Sequence, residues 1–341
     1  MVIQINPFLP HFWRNVSQLQ IGLGAQQVKL EDITATQERL LATLTLGIAD
    51  HQLEAIARQL KMPLADATDL LDKVTPLLLK REVTHSNQSL FADAELVRAT
   101  IANQSDGVEV RRQRAQKTIW INELSSTAVQ LIVLLSKMGF QSFASSDAGL
   151  VNDADLGDYL RVTKGVTRRQ ALNYQLRELH LGASVHAAER NQADYAILLA
   201  QQCITPANYA SLVNRGIPHQ LATFAPDGIW VSHLVLPGRT PCLYCLELKR
   251  VDQDADWPVI ASQLTTSKTR FDDCLSASFA ATAIGQSISA WFDREQASTV
   301  AKNMDAITGA ITDEPVAFHP DCQCSARLRF EQAQEPRSLA S

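Results

Sequence analysis

The chain has 341 residues, of which 46% are hydrophobic and 20% are charged, a mixture typical of a globular protein with a sizeable core. The formal net charge is −5, whereas proteins that hold nucleic-acid phosphates are usually basic, so composition argues against that class. No apolar run approaches the roughly 20 residues of a membrane span, and the N-terminal sequence has no signal-peptide pattern. We therefore expect about two domains, a cytoplasmic location and no membrane insertion.

The first predicted domain, residues 1–92, combines helical stripes with extended segments. Apolar residues recur at helical spacing over residues 36–46 and again on both sides of Met62-Pro63, where Pro63 suits the start of a second helix. Two short helices followed by an extended stretch, Val83 to Phe91, predict a small winged-helix-like α+β domain.

A winged helix has two common uses, which are DNA binding through its second helix and peptide binding by strand addition. Here the second helix has Asp66, Asp69 and Asp72 against a single lysine, Lys73, which is a poor surface for phosphates. We therefore expect no DNA binding, and peptide binding and a purely structural or dimerising role remain the alternatives.

Residues 93–116 are polar and predict a linker with one short helix around Ala94 to Ile101. From Thr118 onward, short apolar strands alternate with helical stripes, and residues 194–200 form the continuous apolar strand that is typical of buried parallel sheets. The alternation predicts an α/β domain over residues 117–341 with a Rossmann-like, doubly wound sheet.

Four cysteines in two close pairs carry the strongest chemical signal, Cys242 with Cys245 and Cys322 with Cys324. Four thiolates complete a tetrahedral Zn²⁺ site with no position left for water, so the expected role is structural. The alternatives are a chance arrangement or a redox pair, but a redox Cys-x-x-Cys normally follows the first strand of a thioredoxin-like unit. His319 is a further candidate ligand.

The order of these parts resembles the ThiF-like (ubiquitin-activating-type) superfamily, and in particular the ThiF-related precursor-binding partners of cyclodehydratases in bacterial peptide modification. The resemblance rests on PGRTPCLYC at residues 237–245, a long helix of small residues at 274–292, and HPDCQC at 319–324. It implies a Rossmann-like domain with a structural zinc, a peptide or partner enzyme as binding partner, and a homodimer.

Active members of that superfamily bind ATP with a glycine-rich loop after the first strand, because the backbone must approach the phosphates closely. The matching residues, 122–127, contain no glycine, and Glu123 places a carboxylate where a triphosphate would lie. The residues left to bind phosphate are Ser125, Ser126 and Thr127.

The resemblance implies further contacts with the nucleotide and its Mg²⁺, and this sequence matches them only in part. The asparagine and arginine that touch the nucleotide in active members have no match in the corresponding residues, 155–158. Asp147 matches the ribose-binding acid, and Lys164, Arg168 and Arg169 fall where a phosphate-binding side chain is often found. Gln201 and Gln202 stand where active members have the Mg²⁺-binding aspartate. The sequence therefore argues against an ordinary ATP and Mg²⁺ site.

The leading functional hypothesis is a non-catalytic ThiF-like zinc protein, a pseudoenzyme that acts as a peptide-binding or scaffold subunit for a partner enzyme. The alternative is an active adenylyltransferase that uses ATP on a C-terminal carboxylate through an unconventional loop. A winged-helix transcriptional regulator is a weaker alternative. A dinucleotide oxidoreductase is disfavoured, because NAD binding needs the same glycines.

Overall fold

The computed structural model of the protein describes residues 2–80, 93–155, 157–159, 164–267 and 269–325. The chain divides into two compact units, Met1–Gln113 and Arg114–Ser341. The predicted wing, Val83 to Phe91, lies outside the described residues, so the winged-helix assignment and the domain boundaries at residues 92 and 116 stay predictions.

The first unit is an α+β unit with two small antiparallel sheets. Strand β1 (Val2–Ile3) pairs with β5 (Ile48–Ala49), and a second sheet has the order β2 (His11–Trp13), β3 (Leu19–Leu23), β4 (Gln26–Leu30). The helices are α1 (Ala35–Leu46), α2 (Leu53–Gln59), α3 (Leu64–Val74), α4 (Ala94–Asn103) and α5 (Gly107–Ala115).

Local sequence signals place several of these helices. Thr34 and Gln37 form a capping box at the start of α1, and Asp93 accepts hydrogen bonds from two backbone amides at the start of α4. The stretch expected to hold one short helix contains two, α4 and α5. Helix α5 has a polar sequence with almost no helical apolar stripe, which explains why periodicity does not reveal it.

The second unit is built on an eight-stranded sheet, which confirms the predicted α/β, Rossmann-like fold. Five strands run parallel in the order β10-β9-β6-β7-β8, and three antiparallel strands extend the edge as β13-β12-β11. The strands are β6 (Thr118–Ile121), β7 (Ser142–Ser145), β8 (Ser184–Ala187), β9 (Tyr195–Gln201), β10 (His219–Ala225), β11 (Gly228–Val231), β12 (Val300–Asp305) and β13 (Ile311–Pro315).

Helices cover both faces of this sheet, as a doubly wound fold requires. One apolar cluster joins α6, α7 and α11 to the sheet, and another joins α8 and α9 to the opposite face. The helices are α6 (Ser126–Lys137), α7 (Arg168–Glu178), α8 (Pro206–Asn214), α9 (Leu243–Gln253), α10 (Trp257–Leu264) and α11 (Cys274–Arg294). Among the described residues, no helix is long and apolar enough to cross a membrane.

Strand order identifies the crevice where a ligand would lie. From β6 the chain moves outward through β7 and β8, whereas β9, on the other side of β6, leads on to β10. The order therefore reverses between β6 and β9, and ligands of open α/β sheets bind outside the carboxyl ends of strands at such a switch point. The segments that follow β6 and β9 border this crevice.

Candidate functional site

The loop after β6 is held in place by hydrogen bonds that occupy its polar groups. The Asn122 side chain accepts from the Leu199 amide at 2.8 Å and donates to the Leu199 carbonyl at 2.9 Å, which ties the loop to β9. The backbone amide of Leu124 donates to Asp147 Oδ2 at 2.8 Å, and the Tyr159 hydroxyl donates to the Leu124 carbonyl at 2.6 Å. One backbone amide of the loop is therefore already satisfied by a carboxylate.

Asp147, the residue matched to the ribose contact, lies at the end of β7 and is bonded within the protein. Besides the loop amide, it accepts a hydrogen bond from the Gly149 amide at 2.6 Å, and Arg168 lies 3.6 Å from its Oδ2. Arg168 also donates to the buried carboxylate of Asp155 at 3.0 and 3.1 Å. Lys164 is exposed and pairs with a surface aspartate, and it is not among the residues that line the crevice.

The three hydroxyl residues at the start of α6 lie in different surroundings. Ser125 is buried at the N-cap position, and Ser126 lines the crevice. Thr127 is fully buried and its hydroxyl donates to Asp272 at 3.4 Å. Only Ser126 thus faces the space in which a phosphate would lie.

The crevice is a cavity of about 880 Å³ whose lining includes three charged residues that sequence analysis missed, Arg270, Asp272 and Asp273. Arg270 donates to both carboxylate oxygens of Asp272, at 3.0 and 2.6 Å. Gln201, at the end of β9, donates to Asp272 at 3.1 Å and accepts from the Phe271 amide at 2.9 Å. The available signal was the paired aspartates just before α11, where Asp273 caps the helix.

The electrostatics of this cavity are dominated by carboxylates. Burial raises the pKa of Glu123, and the neighbouring Asp272 and Asp147 add to this, while burial also raises the pKa of Asp158 in the cavity lining. Arg270 is engaged by Asp272, and this hydrogen bond raises the pKa of the guanidinium. The site therefore resists additional negative charge.

The predicted zinc ligands come together on the other face of the sheet. Cys242 and Cys245 lie at the start of α9, and the sulfur atoms of all four cysteines lie within 4.8 Å of one another. The sulfur–sulfur distances are 3.9 Å for Cys242–Cys245, 3.6 Å for Cys242–Cys322 and 3.3 Å for Cys245–Cys324. A tetrahedral Zn²⁺ with bonds of ~2.3 Å separates its sulfur ligands by ~3.8 Å, so the residues fit the ion.

Hydrogen bonds within the cluster shift the pKa values of its thiols in opposite directions. Those from the thiols of Cys242 and Cys324 lower the pKa of Cys245, whereas hydrogen bonds within the cluster raise the pKa of Cys242 and of Cys324. Binding of Zn²⁺ would therefore release protons from the cluster. His319 is not a member of the cluster: its Nε2 lies 2.8 Å from Asp252 Oδ2, and its Nδ1 accepts from the Asp321 amide at 3.2 Å. Among the described residues, the candidate metal centre consists of four sulfur atoms.

The chain matches no family model and no curated protein by sequence. Its structure is similar to Escherichia coli MccB solved with ATP, with a TM-score of 0.68, 13% identity, and coverage of 95% of this chain and 99% of that one. It is also similar to the microcin C7 biosynthetic enzyme MccB in complex with N-formylated MccA, with a TM-score of 0.66, 13% identity, and coverage of 95% and 100%.

A third similar structure, PaaA, has a TM-score of 0.57 and 11% identity, with 74% of this chain and 92% of that chain covered. Identities this low establish similarity of fold alone. The expected resemblance to ThiF-like proteins of peptide modification is confirmed at that level: the chain has the fold of MccB.

Proposed function

We propose that this chain is a ThiF-type protein of peptide modification that binds a peptide or a partner enzyme without adenylating it. The fold of MccB, which has been solved with ATP and with MccA, supports the class. The observation that carries the non-catalytic part is the loop after β6, which has no glycine, holds the half-buried Glu123 and has its Leu124 amide bonded to Asp147.

Simple electrostatics shows why this loop opposes a triphosphate. Two unit charges ~5 Å apart interact by about 3 kcal/mol at an effective dielectric constant of ~20. Each ionised carboxylate near the phosphates therefore weakens ATP binding by roughly two orders of magnitude. Asp158 lines the crevice, and Glu123 belongs to the loop after β6. Arg270, the one cation among the described lining residues, is already paired with Asp272.

Calorimetry with the zinc-loaded protein tests this part of the proposal. We expect no heat of binding from Mg²⁺·ATP or from its non-hydrolysable analogue up to about 1 mM. Glu123→Gln is the matched variant, because it removes the charge and keeps the shape, and any weak ATP binding should strengthen in it. Micromolar ATP binding by the wild-type protein would overturn the non-catalytic assignment.

Peptide binding is proposed at the open edge of the three-stranded sheet in the first unit. In the β2–β3 ladder, Arg14 donates to Gln18 and Gly22 donates to Pro10, so the even-numbered residues of β2 face β3. By the alternation of antiparallel pairing, the backbone groups of His11 and Trp13 point away from β3. No described strand pairs with this outer edge, which can accept an extended peptide as an additional strand.

Proline at this edge provides a sharp test with a matched control. Both Trp13→Pro and Trp13→Val remove the indole side chain. Only Trp13→Pro also removes the backbone N–H that points away from β3, so the two variants differ in that hydrogen-bond donor. Peptides selected from a random twelve-residue phage library on the wild-type protein should bind Trp13→Val and lose at least tenfold in affinity for Trp13→Pro. Equal binding to the two variants, or no enrichment on the wild-type protein, would contradict peptide binding at β2.

The second candidate function is an adenylyltransferase with an unconventional loop. The cavity of about 880 Å³ at the switch point favours it, because it is large enough for a nucleotide. ATP–pyrophosphate exchange with peptides that end in a free carboxylate would establish this activity. The homodimer, the cytoplasmic location and the lack of DNA binding stay predictions.

A further inference from the structure

Helix α10 exposes an apolar surface that no described part of the chain covers. Its sequence is WPVIASQL, and none of its eight residues, all of which the structure describes, is buried. Val259 is 61% exposed and Ile260 is 36% exposed. Short helices in proteins are normally stabilised by packing an apolar face against the core. This helix packs only in part, through half-buried residues such as Trp257 and Ala261.

A groove of about 440 Å³ lies beside this helix. The segment that leads into α8 contributes to it, and the rest is formed by facing stripes of α9 and α10. The α9 stripe has the helical spacing of four and three residues, with Tyr244, Leu248 and Val251. The α10 stripe contains Trp257, Pro258 and Ala261.

The walls of the groove are held in position. Trp257 Nε1 donates to Glu247 at 2.7 Å, and the Arg250 guanidinium lies 5.0 Å from the centre of the Trp257 ring. Arg250 also donates to Glu247 at 2.9 Å. On the other side, the Cys203 thiol lies 3.3 Å from the carbonyl oxygen of Ala261. The groove is thus preformed, which lowers the entropic cost of binding a partner.

The turn between α9 and α10 gives one end of the groove a negative charge. Asp254 and Asp256 are exposed there, next to the lining residues Val251 and Trp257, and neither forms an ion pair with a described residue. The two basic residues at this end of α9 are each ion-paired with a glutamate. The uncompensated charge at the mouth of the apolar groove is therefore acidic.

We propose that this groove docks an amphipathic helix of a partner protein that carries apolar anchors with lysine or arginine beside them. Helix α10 has eight residues and so is ~12 Å long, which matches the ~10 Å between positions i and i+7 of a bound helix. The apolar stripes accept the anchors, and Asp254 and Asp256 select basic neighbours. This inference is independent of the proposed function, because the groove shares no residue with strand β2, where peptide binding is proposed, and no lining residue with the crevice at the switch point.

Two designed peptides test the proposal directly. Both are fluorescein-labelled helices of about 14 residues with the same apolar stripe at i, i+4 and i+7, and they differ only in lysine or glutamate at the flanking positions. Fluorescence anisotropy at low salt should show at least tenfold tighter binding of the lysine peptide to the full chain. Ala261→Arg, which fills the groove, should weaken that binding at least tenfold, and Ile307→Arg, at a 90% exposed site in the β12–β13 turn, should not.

A double variant tests the contribution of the two acidic side chains at the end of the groove. Asp254→Asn with Asp256→Asn should remove the preference for the lysine peptide and leave the far-UV circular dichroism spectrum unchanged. Equal affinity for the two peptides, equal effects of Ala261→Arg and Ile307→Arg, or no binding of either peptide below about 1 mM would overturn the proposal.

Discussion

A buried histidine makes the stability of the second unit depend on pH. His219 in β10 is 0% exposed, its Nδ1 donates to the Ile217 carbonyl at 2.8 Å, and its Nε2 has no partner among the described residues. Burial lowers its pKa from 6.5 to about 4. The folded protein therefore holds this imidazole neutral at pH values at which the unfolded chain would protonate it.

The sign and size of the effect follow from linkage. Between pH 6.5 and about 4 the unfolded chain binds the proton and the folded protein does not, so the free energy of unfolding falls as the pH falls. At about 1.4 kcal/mol for each pH unit, the total contribution of His219 is about 3 kcal/mol. This stability is fully present above pH 6.5 and is lost as the pH falls towards 4.

Urea unfolding at about pH 7.5, 6 and 5, with saturating zinc, measures the slope. The variant is His219→Asn, whose amide can still donate to the Ile217 carbonyl but does not titrate. Its stability should fall less steeply with acid than that of the wild-type protein. His186→Asn, at an exposed position in β8, should keep the wild-type slope. Identical slopes for the wild-type protein and His219→Asn would refute the reasoning.

Three further predictions concern buried polar groups. Arg114 donates to the buried carboxylate of Asp293 at 3.0 Å. Arg114→Met leaves that carboxylate unpaired and should lower the free energy of unfolding, measured by urea titration, by about 3–5 kcal/mol. Adding Asp293→Asn should restore part of this loss. Cys245→Ser should reduce bound zinc, measured by elemental analysis, from one ion per chain to none, whereas Cys203→Ser should keep it. Tyr159→Phe removes a hydrogen bond to the loop after β6 and should cost about 1 kcal/mol, and an unchanged unfolding midpoint would contradict that contact.

Several features followed from local sequence patterns. The apolar run predicted over residues 194–200 is β9, Tyr195–Gln201, because a strand covered on both faces must be apolar at every position. The close spacing of Cys242 and Cys245 lets both sulfurs reach one ion from a single turn of the chain. Two of the four candidate zinc ligands could therefore be predicted from neighbouring residues. Helix α5 was missed, since its polar sequence carries no periodic signal.

The composition of the crevice was beyond such patterns, because it depends on which distant segments pack together. Asp147 could be matched to a nucleotide contact in the sequence. Only the folded chain shows that its carboxylate accepts a hydrogen bond from the backbone amide of Leu124, 23 residues away. Asp272 reaches Thr127 across 145 residues of sequence, and no local pattern relates the two. Periodicity and spacing specify elements and short-range ligands, since these depend on neighbouring residues. The partners of a buried polar group depend on tertiary packing, because that group must be satisfied by whatever lies beside it in the folded protein.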